Sequence, residues 1–205
     1  MDIVAKNVGK RFRKNWIFRS IDLEVPEGSR QAILGPNGSG KSTLLQIISS
    51  MTLPSEGQVK FMVNGVEKDA SGIYRHISMA APYMQLFETL TLRESIDMHY
   101  RFKNWNNGVL SHDVPDILQL EKFTDQCIGE FSSGMKQRVK LGLAILSDVD
   151  TVLLDEPASN LDRAGRTWYL EMVEKYASGK SFVVCSNHME EEYEFCTGRL
   201  DLGPR

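Results

Sequence analysis

Apolar residues recur along the chain with two different periods. "DIVAKNV" (2–8) and "IFRSIDLEV" (17–25) read as strands, and Pro26-Glu27-Gly28 marks a turn into "SRQAIL" (29–34), a run suited to a buried strand. A glycine-rich loop follows, and then a helix from about Lys41 to Ser50. "GQVKFMVNGVEK" carries Asn64-Gly65, the signal of a tight hairpin turn, and "HISMAA" (76–81) predicts another strand. From about Pro82 to Ile128 the pattern turns helical, with "LTLRESIDMHYRF" as one amphipathic helix and "DVPDILQLEKF" as a shorter one. "TVLLDE" (151–156) and "SFVVCSN" (181–187) return to buried-strand character with helices flanking them. This α/β order, without repeats or a low-complexity linker, predicts one domain over residues 1–205 with a helical lobe inserted at about 83–147.

Composition narrows the class. At 205 residues, 41% hydrophobic and 25% charged, the chain suits one globular core. A formal net charge of -3 gives no basic excess, so nucleic acid is not an expected partner. Cys127, Cys185 and Cys196 show no C-x-x-C spacing, which argues against a disulfide framework or zinc site and predicts three buried thiols in a reducing compartment. No run of about eighteen apolar residues suggests a membrane span, and the N-terminus lacks a signal core, so the expected location is cytoplasmic.

"GPNGSGKST", residues 35 to 43, fits G-x-x-x-x-G-K-[ST] between a buried strand and a helix. Gly35, Gly38 and Gly40, with Pro36, Asn37 and Ser39 between them, let the backbone curl until successive N–H groups point at a phosphate. Lys41 would reach the β- and γ-phosphates, the Ser42 hydroxyl would meet Mg²⁺, and Thr43 completes the loop. A bound nucleoside triphosphate is the implication. In "TVLLDEP", a buried parallel strand would deliver its acids to the same sheet edge. Asp155 would hold Mg²⁺ through water, and Glu156 could accept a proton from an attacking water, which makes hydrolysis the expected chemistry.

"FSSGMKQRVKLGLAIL" (131–146) opens a helix with Ser-Ser-Gly and no acid. Such a start is either an ordinary cap or an anion site, because free N–H groups and the positive helix end converge there. Together with "SNLD" (159–162) and a His after a strand, these motifs resemble the ATP-binding cassette family over nearly the whole chain. The resemblance implies that Ser132, Ser133, Gly134 and Met135, standing where that family usually has Ser-Gly-Gly-Gln, grip ATP held by a partner subunit. It implies that Ser159, Asn160, Leu161 and Asp162 form the loop crossing the dimer interface, although alone they read as a helix cap. His188 would bond the γ-phosphate and position water; a His at a strand end can also be structural. Phe12 would stack on adenine, with plain strand packing, or Trp16 as the stacker, as the other readings.

The resemblance further implies an ATP-hydrolysing subunit, a homodimer or heterodimer with a second such subunit, that drives separate transmembrane permease subunits from the inner face of the membrane. A soluble ATPase remodelling a cytoplasmic assembly, such as the one serving iron-sulfur cluster assembly, is the alternative. A nucleotide-gated module with little turnover is the third. One departure stands out: the family's metal-touching Gln would fall near Ala81 or Pro82, and Gln85 lies three positions late. The expectation is that Gln85 makes no metal contact and that Met84, Leu86 and Phe87 form an apolar surface for a membrane partner.

Overall fold

Uninterrupted apolar runs and alternating runs end up in different sheets. The computed structural model describes residues 1–106 and 108–203. Its elements are β1 (Asp2–Phe12), β2 (Asn15–Val25), β3 (Arg30–Leu34), α1 (Lys41–Ile48), β4 (Glu56–Val63), β5 (Val66–Lys68), β6 (Ile77–Ala80), α2 (Leu92–Tyr100), α3 (Val114–Ile117), α4 (Ser133–Leu146), β7 (Thr151–Asp155), α5 (Arg163–Tyr176), β8 (Ser181–Ser186), α6 (Glu190–Tyr193) and β9 (Gly198–Asp201). The alternating strands pair antiparallel in the order β2-β1-β4-β5, and the apolar ones form a parallel sheet, β6-β7-β8-β3-β9. Asn64 and Gly65, at φ 51° and 74°, turn β4 into β5 as the Asn-Gly pair predicts.

Side chains of the parallel sheet alternate between two cores. Leu153, Val183 and Cys185 face one that also holds Leu44, Leu45, Ile47 and Ile48 of α1 and the inner face of the antiparallel sheet. Val152, Leu154, Phe182 and Val184 face the other, which takes in α4, α5 and the apolar positions of the segment between β6 and β7, such as Leu92, Trp105 and Leu118. Each fully buried aliphatic side chain contributes about 1.5–3 kcal/mol by leaving water, so strands covered on both faces carry almost no polar positions.

Between β6 and β7 the periodicity is only half obeyed. α2 begins with a capping box, in which the Glu94 N–H donates to Thr91 Oγ1 at 3.2 Å and the Thr91 N–H to the Glu94 carboxylate at 2.8 Å. The helix expected over 113–123 is instead one turn, α3, followed by a separate 3₁₀ turn at Glu121–Phe123. Gln119 takes a left-handed φ of 58°, and the Leu120 N–H turns back to Pro115 O at 2.8 Å, so the turn closes on itself. The strands flanking the first hairpin run longer than expected, meeting at Phe12 and Asn15; the helix expected after "SFVVCSN" is the single turn α6, and β9 has no counterpart in the sequence reading. Cys127 is half-buried and Cys185 and Cys196 are buried, all as free thiols. No helix among the described residues is long and apolar enough to cross a membrane.

His99 on α2 closes the junction between this segment and the sheet. Its ring stacks on Trp105 at 5.0 Å, and Nε2 lies 2.8 Å from Ser147 Oγ. Because the Ser147 hydroxyl donates to Leu143 O, it accepts from the His99 Nε2–H, which suits a neutral imidazole. Burial, aided by the Lys103 charge, depresses the His99 pKa from 6.5 to about 4. Between those values the unfolded chain binds the proton and the folded chain does not, so stability is lost as pH falls from 6.5 toward 4. The midpoint of urea unfolding is expected to drop from pH 7 to pH 5, and His99→Gln to flatten that part of the profile; an unchanged slope would show that another group sets it.

Candidate functional site

The chain leaves β3 through a loop that only glycine can build at its ends. A Cβ on Gly35 would run into Leu202 O, and one on Gly40, at φ 107°, would meet Ile17 and Phe18 of β2 at 2.7 Å. Between them the Ser39 N–H bonds Pro36 O at 3.1 Å, which curls Pro36, Asn37 and Gly38 over the start of α1. Lys41 is 5% exposed and donates to Gly35 O at 2.8 Å and Pro36 O at 3.2 Å, so its ammonium rests on the carbonyls of its own loop. A cavity of about 300 Å³ opens in front, lined by Lys41, Ser42, Thr43 and, across from them, Glu156.

Glu156 arrives there because β7 runs parallel to β3 and ends at the same edge. Asp155, its last residue, is 2% exposed, and neither carboxylate oxygen has a hydrogen-bond partner. Burial raises its pKa; the Ser42 hydroxyl stands close enough to pull against that rise without closing a bond to either oxygen, and Lys41 pulls the same way. A buried carboxylate without a donor, facing a hydroxyl, is a donor set that fits a hard divalent cation with oxygen ligands. Glu156 has φ 47° and His188, past the end of neighbouring β8, has φ 73°. Each such left-handed residue costs about 1–3 kcal/mol and persists only where its surroundings hold it. His188 is exposed and lies at that edge without lining the cavity.

The Ser-Ser-Gly helix start lies elsewhere. Ser132 caps α4 by accepting from the Met135 N–H at 3.2 Å, Ser133 is exposed, and Gly134 and Met135 are half-buried. A Cβ on Gly134 would stand 3.1 Å from Asn160 O, so this turn abuts the 159–162 loop. Within that loop Asn160 has φ 63°, Leu161 is buried, the Ser159 hydroxyl is buried without a partner, and Asp162 caps α5 by accepting from Gly165 at 2.7 Å. Neither segment lines the Lys41 cavity. Phe12 is 52% exposed at the first hairpin, whereas Trp16 is clasped by the guanidiniums of Arg11 and Arg19, 5.1 and 4.3 Å from its ring.

Beyond β6, Ala81 is buried, Pro82 is exposed, and Gln85 lines an apolar groove on the far side of the loop and not the Lys41 cavity. Tyr83 was not singled out by the sequence. Burial pushes its hydroxyl up to about 12, with Gln46 pulling against and the Asp155 charge adding to the rise, so the phenol stands in the electrostatic reach of the Asp155 site. Gln46 follows Ser42 by one helical turn on α1, a spacing that could have flagged it.

Comparison with known proteins agrees with this geometry. The ABC transporter family model matches residues 18–159, well over half of the chain. The sulfate/thiosulfate import ATP-binding protein of Synechocystis sp. is 33% identical, covering 94% of this chain and 55% of that one. The linearmycin resistance ATP-binding protein of Bacillus subtilis is 26% identical over 97% of this chain and 65% of its own. The chain thus spans roughly half to two thirds of the length of these relatives. A dimeric ATP-binding cassette solved in a post-hydrolysis state with ADP and Pi superposes with a TM-score of 0.82 at 24% identity, covering 97% of this chain and 93% of that one. An ATP-binding subunit of an ABC transporter reaches 0.84, also at 24%, over 98% and 85%. With a phosphate loop, two strand-end carboxylates and a serine-capped helix start in this arrangement, the chain belongs to the ABC transporter family.

Proposed function

We propose that this chain is the ATP-binding and ATP-hydrolysing subunit of a transporter, one cassette domain over residues 1–205 with its helical lobe at about 83–147. The observation that carries this reading is the cavity in which Lys41 and Ser42 face Glu156, with unpartnered Asp155 beside them. Residues 35–43 hold the phosphates through backbone N–H groups, and Lys41 exchanges its loop carbonyls for phosphate oxygens. Ser42 and Asp155 hold Mg²⁺, which when bound neutralises phosphate charge. Glu156 accepts the proton of the attacking water, His188 orients it, and Phe12 stacks on adenine.

Ser132, Ser133, Gly134 and Met135, outside this cavity, serve the ATP of a second subunit, and Ser159–Asp162 cross the interface between the two. Dimer closure on two ATP molecules then drives a separate membrane subunit. A groove of about 610 Å³ lined by Met84, Leu86, Phe87, Met98 and Phe102 supports such docking, with Phe87 63% and Phe102 81% exposed. Leu86 packs in part against the core, so Phe87 is the side chain offered to a membrane partner's helix. This role sets the chain on the inner membrane face. The relatives' names are those of transport and resistance proteins, which lends nothing to the soluble-remodelling reading.

Glu156→Gln keeps shape and loses basicity, so ATP turnover should fall by about 10² to 10⁴ while ATP still binds; near-parent turnover would rule Glu156 out as the base. Lys41→Ala should instead weaken nucleotide binding, measured by titration with a fluorescent ATP analogue. In light scattering, Glu156→Gln with ATP and Mg²⁺ should be a dimer and the ADP form mostly monomer; the same mass in both contradicts a shared site. Phe87→Asp should abolish co-purification with the membrane subunit and leave ATP binding unchanged, and intact assembly would remove the groove from the docking surface.

A further inference from the structure

Glu156 holds a left-handed φ at the point where β7 stops, so something beyond the strand ladder must fix it. Two backbone bonds do part of this: its N–H donates to Cys185 O at 2.9 Å, and its carbonyl accepts from the Ser159 N–H at 3.0 Å. The next two residues are gripped by side chains from elsewhere. Pro157 has no N–H, and its carbonyl accepts from Gln137 Nε2 at 2.9 Å. The N–H of Ala158, itself 2% exposed, donates to Glu192 Oε1 at 3.0 Å. Both gripping side chains are buried, Gln137 at 3% and Glu192 at 2%.

These side chains come from the helices that follow the Ser132 cap and the His188 turn. Gln137 lies in α4, one turn past the Ser132–Met135 start, and Glu192 lies in α6, four residues after His188. Glu192 is anchored in turn, because its carbonyl accepts from the Tyr169 hydroxyl at 2.9 Å. The His188 turn is tied to the end of β8 by the Met189 N–H on Ser186 Oγ at 3.1 Å. Two buried polar side chains on the C=O and N–H of one peptide group are costly unless the bonds are kept, so the register of this loop against both elements is fixed.

We propose that Gln137 and Glu192 are positioning residues, the two jaws of a clamp on the Pro157–Ala158 peptide that hold the Glu156 carboxylate in register with the Ser132–Met135 helix start and with His188. The clamp rests on the reading of Glu156 as the base. Movement of α4 on a partner's nucleotide would reach Glu156 through one side-chain bond, and movement of the His188 turn through the other.

Glu192→Ala should lower kcat for ATP by about 10- to 100-fold, the effect of misplacing a base by roughly an ångström. Affinity for a fluorescent ATP analogue should stay within about twofold of the parent, because the lost contact acts on turnover. Glu192→Gln, which keeps an oxygen for Ala158, should return most of the rate. Amide exchange at Ala158 should quicken in the Ala variant and not in the Gln variant. In a Glu156→Gln background, Glu192→Ala should remove nothing further from the residual rate, since it acts through a carboxylate no longer present. Should Glu192→Ala not fold, Gln137→Leu tests the other jaw by the same criteria. An equal fractional loss in both backgrounds, or parent-like turnover of either jaw variant, overturns the clamp. A Glu156→Gln protein that hydrolyses ATP at the parent rate overturns instead the assignment of Glu156.

Discussion

Burial of the parallel sheet on both faces is the constraint from which the rest of the molecule follows. Once α1 and the antiparallel sheet cover one face and α4 and α5 the other, the strand interiors hold mostly apolar side chains, and chemistry is left to the ends. Shared strand direction gathers those ends at one edge, so the loops after β3, β6, β7 and β8 meet although they are far apart in sequence. The opposite edge offers a contrast. Lys180 there is as buried as Asp155, yet it donates to Ile145 O and Ser147 O, both at 2.7 Å, and is structurally complete. Asp155 has no such closure, and an unpaired buried polar group costs about 1–3 kcal/mol unless a ligand completes it.

The loop after β6 shows how a site can shift without moving its fold. Pro82 stands where a side-chain oxygen would be expected, and Gln85 has turned to the apolar groove. Tyr83 brings a phenol toward Gln46 and Asp155 instead. The phenol is held here as the neutral acid, and its hydroxyl donates to Met79 Sδ at 4.0 Å.

What could be read in the sequence was whatever is encoded by residue type at fixed spacing. The glycines around Lys41, the apolar runs ending in Asp155 and at Ser186 and the Asn64-Gly65 turn all act within a few residues. The misses involve partners set by tertiary contact. β9 is only four residues long and is held as a strand by the edge that β3 offers it. The chain turns away just past α3 at Gln119, a residue with no special preference for left-handed backbone. Gln137 and Glu192 bond backbone groups, whose positions leave no mark in a sequence. The close approach of Gly134 to Asn160 was likewise not legible in the sequence, because it joins two turns far apart along the chain.

The strand that launches the phosphate loop has an unusual pair of neighbours. Gln31 of β3 is paired with Val183 of β8 on one side and Gly198 of β9 on the other, and no earlier segment borders it. On a ribosome adding about 5–20 residues per second, the phosphate loop would therefore exist as sequence for roughly ten to thirty seconds before either strand that pairs with β3 arrives. A nascent chain stopped before residue 181 carries every residue from Gly35 to Thr43 and neither of the strands that flank β3.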